Sequence, residues 1–250
     1  MRIFIIAILI YISLVQSQTG YEIAKMIDEK PVPKFLSNKI EMVMKNSKGK
    51  TRKKQIISKS MSGGEKQIMW FVNPKTDYGV SFLKIEHEDK QDEMRIWLPN
   101  FGRVRRISSK KKGDAFMGSD LSYEDLSNRN LDDNEYTRLD DDIVDGIECY
   151  VLDIRPIENL KSSYSRHLFW INKSDLTGVK EESYDKRGDL KKKKTFRYAS
   201  LEGYSIVRYV YVENIKKNHS TEVHFSDLVL NRDLDEKIFN EKYLQNMPID

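Results

Sequence analysis

From Leu36 onward apolar side chains recur at every second position, with Ile40, Met42 and Met44 alternating against Lys39, Glu41 and Lys45. That is the period of a strand with one buried face. A second run passes through Ile56 and Ile57, and others follow at 67–72, 80–86, 94–98 and 104–108, then at 135–140, 147–155, 166–172, 179–184, 190–198, 206–212 and 221–230. Turn-forming residues punctuate them, among them Ser47-Lys48-Gly49, Gly63-Gly64, Pro99-Asn100-Phe101-Gly102, Asp145-Gly146 and Lys186-Arg187-Gly188-Asp189, so the strands follow one another as hairpins. Two stretches depart from this rhythm. Thr19-Gly20-Tyr21-Glu22 has capping-box spacing ahead of a helical face of Tyr21, Ile23, Met26 and Ile27, closed by Pro31 and Pro33. Residues 234–244 form a second amphipathic segment, helical in pattern, around Ile238 and Phe239. About a dozen strands with no helix–strand alternation predict a mainly β protein, an antiparallel barrel or strongly curved sheet in a single domain over 18–250.

Such a sheet has one face to cover and few helices to cover it. The shortfall predicts either a plugged barrel or a cavity lined by methionine and aromatic side chains, which would accept flexible apolar ligands. Met42, Met44, Trp70, Phe82, Trp97, Phe101, Tyr209 and Phe225 are the candidate lining. The stretch Phe116-Met117-Gly118-Ser119-Asp120-Leu121-Ser122-Tyr123-Glu124-Asp125-Leu126 is the candidate lid. Gly118 permits a turn, Asp120 or Ser122 can cap a short helix, and Phe116, Met117, Tyr123 and Leu126 add apolar groups to the lining. Alternation puts Arg103 and Arg105 on one face of the preceding strand and Arg106 on the other. An arginine is therefore expected to meet Asp120, Glu124 or Asp125, either clasping the lid or clamping a headgroup beside Ser119. Low-cost release requires the lid to be mobile.

Composition changes this picture at one end of the chain. Residues 3–15 are almost wholly apolar behind Met1-Arg2, too short for a spanning helix of ~20 apolar residues, and Ser17 is small. This predicts a signal peptide over 1–17, cleaved near Ser17/Gln18, and export of the remainder out of the cytoplasm. A mean hydropathy of −0.63 suits a soluble remainder. Cys149 is the single cysteine, so core burial rather than a disulfide must stabilise the fold. A formal charge of +4 is too near balance to imply nucleic acid, and the basic runs 48–54, 103–112 and 191–194 and the acidic run 132–145 read as solvated faces or loops.

Enzyme signals are weak. The chain has no G-x-S-x-G, H-E-x-x-H or phosphate-loop motif. Ser119 or Ser122 with Asp120 or Asp125 is the hydrolase alternative, without a base that the sequence locates. The four histidines have no metal-ligand spacing, and the acidic run lacks the glycine of a calcium loop, so no metal and no cofactor are expected.

The succession Trp70-Phe71-Val72-Asn73-Pro74, Val80-Ser81-Phe82-Leu83-Lys84-Ile85, Trp97-Leu98-Pro99, Val104-Arg105-Arg106-Ile107-Ser108 and Phe116-Met117-Gly118-Ser119-Asp120, closed by Tyr123-Glu124-Asp125-Leu126, resembles the outer-membrane lipoprotein-sorting family of LolA-like carriers. Within it the chain is most similar to the branch often found beside exporters of the RND superfamily. The resemblance implies a curved, incompletely closed antiparallel barrel with helices in its concavity, which binds acyl chains of lipids or lipoproteins. The expected function is that of a monomeric periplasmic carrier or chaperone that hands its cargo to an RND-type exporter or an outer-membrane acceptor. Two alternatives stand beside it: a lipid-hydrolysing enzyme using the same cavity, and an exporter adaptor that binds no ligand and whose barrel is filled.

Overall fold

The computed structural model describes residues 18–87, 90–232 and 234–248; the expected signal peptide lies outside them. Among these residues thirteen strands follow one short α-helix, α1 (Gly20–Asp28). The first six are β1 (Phe35–Lys45), β2 (Thr51–Met61), β3 (Lys66–Asn73), β4 (Ser81–Ile85), β5 (Glu93–Leu98) and β6 (Arg103–Arg106). The other seven are β7 (Asn134–Val144), β8 (Ile147–Pro156), β9 (Tyr164–Asn172), β10 (Gly178–Asp185), β11 (Leu190–Leu201), β12 (Tyr204–Asn214) and β13 (His219–Leu230). They form a single sheet in the order β6-β5-β4-β3-β2-β1-β13-β12-β11-β10-β9-β8-β7. Each neighbouring pair is antiparallel, including the β1–β13 pair that joins the two meanders. The edges, β6 and β7, are consecutive in sequence, so residues 107–133 must cross from one edge of the unclosed sheet to the other.

That crossing curls the sheet. Asp125 accepts from Lys194 on β11 while its neighbour Leu126 accepts, through its backbone carbonyl, from Lys84 on β4. These strands are six positions apart in the sheet, about 29 Å if it were flat at ~4.8 Å per strand. Consecutive residues can reach both only if the strands wrap around them.

Three segments cover the sheet. On the inner face, residues 107–133 lie against β1–β5 and β9–β13, and α1 packs Ile23 and Ala24 on Leu152, Ile154 and Ile171 near the β7 edge. Thr19 caps α1 as its spacing predicts, with Glu22 returning the bond. Gly20 is needed there, because a Cβ would sit 2.7 Å from the Tyr136 carbonyl oxygen. On the outer face the C-terminal segment puts Phe239 and Leu244 over Ile68, Trp70 and Leu83. It forms two 3₁₀ turns, Glu236–Ile238 and Glu241–Gln245, rather than one helix. Covered on both sides, β3 buries Ile68, Met69, Trp70 and Phe71 in succession and loses the alternation of a half-buried strand. Among the described residues no helix is long and apolar enough to cross a membrane.

Candidate functional site

The site is the inner face where residues 107–133 lie on it. Met117 and Gly118 have φ of +50° and +81°, a left-handed pair that reverses the chain, and the reversal is closed by Phe116 N–H donating to the Leu121 carbonyl at 2.7 Å. The expected short helix is a single 3₁₀ turn, Glu124–Leu126, with Ser122 ahead of it as its spacing predicts: the Ser122 hydroxyl accepts from Asp125 N–H at 3.3 Å and the Asp125 carboxylate accepts from Ser122 N–H at 2.7 Å, while Asp120 is held by Thr221 instead. The reversal drives Phe116 into the β1–β5 half of the face. Its ring stands 5.2 Å from Phe82, 6.0 Å from Phe71 and 5.6 Å from Tyr123, in edge-on and tilted geometries that aromatic quadrupoles favour. Ile40, Met42, Ile56, Met69, Met94 and Ile96 complete this apolar half.

Towards β9–β11 the same face is ionic. The Asp125 carboxylate, 2 % exposed, accepts from Lys192 and Lys194 at 2.6 Å each and from the Tyr164 hydroxyl at 3.0 Å. It also accepts from the Ser122 N–H and hydroxyl at 2.7 Å each. Lys194 bridges on to Glu181 at 2.9 Å, which accepts from Arg129 at 3.0 Å and from the Ser183 hydroxyl at 3.1 Å; His167 Nδ1 shares that hydroxyl at 3.0 Å. Burial pushes the Asp125 carboxyl up, but the ammoniums of Lys194 and Lys192 more than reverse it and hold it well below the usual carboxylate range. The same contest, against Lys194 and Arg129, holds Glu181 well down. Burial, aided by Arg129, lowers the His167 imidazole, so it is neutral at pH 7. The Tyr164 hydroxyl is raised by burial and by the Asp125 charge and donates to Asp125.

Further bonds pin the segment. Asp120 Oδ2 lies 2.7 Å from the Thr221 hydroxyl and 2.6 Å from His219 Nδ1. Glu124 accepts from the hydroxyls of Ser162 and Ser163 and from Ser163 N–H at 2.8 Å. Lys84, 1 % exposed, donates to the Leu126 carbonyl at 2.8 Å and to Glu86 at 2.6 Å. The mobile lid expected from the sequence is thus a fastened plug. Its hydroxyls are occupied as donors, Ser122 to Asp125 and Ser119 to the Phe116 carbonyl at 2.7 Å. The imidazole and the Thr221 hydroxyl converge on one carboxylate oxygen, whereas nucleophilic activation needs the imidazole between hydroxyl and carboxylate.

Of the residues singled out in the sequence, Met42, Phe82, Phe116, Met117, Tyr123, Leu126 and Phe225 share this apolar cluster, and Met44 is buried farther along the same face of β1. Four stand elsewhere. Trp70 and Trp97 belong to the outer face, where the Trp70 indole N–H donates to the Tyr243 carbonyl at 3.2 Å. Tyr209 faces outward between His224 and Arg197, and Phe101 is 67 % exposed at a turn tip. Arg103, Arg105 and Arg106 are exposed on the edge strand β6; the cations on the lid carboxylate are Lys192 and Lys194. Half of a lysine run read as solvated is therefore buried, and alternation within Leu190-Lys191-Lys192-Lys193-Lys194 was the signal. The acidic run is likewise structured: Asp141 meets Arg138 and Lys173, and Asp142 accepts from Trp170. Hollows of about 580 Å³, at the β7 edge around Leu139 and Trp170, and about 260 Å³, around Phe35 and Leu234, have no residue of 107–133 in their walls. Beneath that segment its own Phe116, Met117, Leu121, Tyr123 and Leu126 pack against the apolar side chains of the inner face.

Comparison with known proteins follows the same lines. A family model described as that of an uncharacterized protein matches residues 63–246, and no curated protein matches the chain in sequence. Among solved structures, an outer membrane lipoprotein-sorting protein domain from Vibrio parahaemolyticus is 30 % identical, with a TM-score of 0.86 over 91 % of this chain and 98 % of that one. A DUF1329 family protein from Desulfovibrio piger is 28 % identical, with a TM-score of 0.86 over 90 % and 98 %. A LolA superfamily protein from Nitrosomonas europaea, 20 % identical over 91 % and 100 %, shares the fold at a TM-score of 0.73.

Proposed function

Since the chain belongs to the outer-membrane lipoprotein-sorting family of LolA-like proteins, we propose that it is a periplasmic carrier whose inner face takes up the acyl chains of a lipid or lipoprotein in place of the Phe116, Met117 and Tyr123 side chains of its own connecting segment. The observation that carries this reading is the composition of the apolar half. Phe116, Met117 and Tyr123 are delivered by a connecting segment, not by the sheet, and they occupy a concavity walled by methionines and phenylalanines. A hydrocarbon chain matches those walls at ~0.8 kcal/mol per methylene transferred from water, and methionine adapts its shape to such a guest. Binding then exchanges one apolar occupant for another, which keeps release inexpensive. Asp125 and its lysines hold the far end of the segment while the Phe116 reversal lifts. The reading is non-catalytic, and handover to an RND-type exporter or an outer-membrane acceptor is part of the proposal.

Amide hydrogen exchange tests the displacement. Saturating lysophosphatidylglycerol is expected to speed exchange at Phe116 and Tyr123, whose N–H groups bond within the segment; unchanged protection with lipid bound would contradict it. The packing of that segment on the inner face favours a second reading, an exporter adaptor that carries no ligand, and absence of any lipid uptake would support that one.

A further inference from the structure

An antiparallel meander sends alternate turns to opposite ends of its strands, and here the two ends differ in charge. One end gathers the turns β1–β2 (46–50), β3–β4 (74–80), β5–β6 (99–102), β8–β9 (157–163), β10–β11 (186–189) and β12–β13 (215–218). These hold eight Lys or Arg against three Asp or Glu. The turns of the opposite end (62–65, 86–92, 145–146, 173–177 and 202–203) hold, among the described residues, two basic and six acidic side chains. The turns at the two ends thus carry opposite net charge, while Lys34 and Lys112 stand beside the second set and Asp133 beside the first.

The basic end also carries exposed apolar groups. Phe101 is 67 % exposed, Tyr78 57 % and Ile215 39 %. Tyr78 and Phe101 sit on turns that touch, since a Cβ on Gly79 would stand 3.3 Å from Pro99. The Arg103 guanidinium lies 5.7 Å from the centre of the Phe101 ring. Lys48 and Lys50 project from a turn fixed by their own N–H groups donating to the Asn46 side chain at 3.1 and 3.0 Å. Lys48, Lys50, Lys75 and Lys217 have no ion-pair partner among the described residues, whereas Lys216 is held by Asp185 and Asp189.

We infer that this end of the barrel docks on an anionic phospholipid surface, with the Tyr78 and Phe101 tips at headgroup depth and the turn lysines over the phosphates. Aromatic rings on separate short turns, rimmed by unpaired cations, suit an interface in which ring and ammonium meet different layers of one partner. An acidic protein would match the charge but give the tips no apolar layer. The surface is independent of what the inner face holds.

Co-sedimentation of the full mature chain with vesicles tests it. Binding is expected to vesicles of equal parts phosphatidylcholine and phosphatidylglycerol, to weaken as salt is raised, and to be absent with pure phosphatidylcholine. Lys48→Glu with Lys50→Glu should lower partitioning by about tenfold or more, and Tyr78→Ser with Phe101→Ser should lower it as well. All four positions are exposed, so the far-ultraviolet circular dichroism spectrum should be unchanged. Equal binding to both vesicle types, or parent-like binding by either variant, would overturn the inference.

Discussion

Most of the inner face of this barrel is covered by one connecting segment, with α1 beside it near the β7 edge, yet the two halves under that segment are held to it by different forces. Against β1–β5 the contact is apolar, with Phe116 and Tyr123 among Phe71, Phe82 and Met42. Against β9–β11 it is a buried ion network in which Asp125, Lys192 and Lys194 are each less than a tenth exposed. The apolar contact is non-directional and would accept any hydrocarbon of similar volume. The ionic contact is specific, because removal of one member strands the others in a site poor in water. One half is thus suited to exchange its occupant and the other to keep it.

The sharpest way to break that contrast is at Asp125. Asp125→Ala leaves two lysines without their shared carboxylate and should cost about 3–5 kcal/mol in urea unfolding. Asp125→Leu combined with Lys192→Met removes one charge of each sign, leaves the Lys194–Glu181 pair, and should recover most of that loss. Phe116→Ala tests the other half. It should cost roughly 3 kcal/mol in the ligand-free protein, and much less with lipid bound, because the ring is then already displaced; an equal loss in both states would mean that the plug stays in place.

The pH dependence separates the halves further. Asp125 and Glu181 have folded pKa values below their unfolded ones. Their contribution is complete above about pH 4 and disappears as pH falls through the lowered values. His167, also lowered on folding, contributes fully above about pH 6.5 and loses that contribution as pH falls below it. Unfolding midpoints should therefore decline in two stages on acidification, and the later stage should shrink in the Asp125→Leu, Lys192→Met variant. The smallest effect is expected at Phe101, where Phe101→Ser should leave stability within ~0.5 kcal/mol of the parent.

Much of this fold could be read in the chain. Period-two runs separated by turns place all thirteen strands, and the capping box places α1. Face assignment failed at Trp97 and Tyr209 although alternation puts them opposite Ile96 and Val210, and at Trp70 because alternation is lost. Trp70 lies in a strand buried on both sides, and its true neighbours, Tyr243 and Leu244, are more than 170 residues away along the chain. Hydrophobicity in β3 says that a residue is buried, not which cover buries it. At the site, Phe116 and Tyr123 were recognisable from composition, and Asp125 from its carboxylate. Its partners were not, since Arg103, Arg105 and Arg106 are nearer in sequence than Lys192 and Lys194. Only the curl of the sheet brings β11 over the segment. The one local clue, that Lys192 and Lys194 share a face, was masked by lysines on both sides.

The most direct test of acyl-chain uptake is native mass spectrometry, with lipid extraction, of the protein purified under mild conditions. The account predicts a lipid or acylated protein bound in stoichiometric amount. A bare protein mass that takes up no added phospholipid or lipopeptide would contradict it.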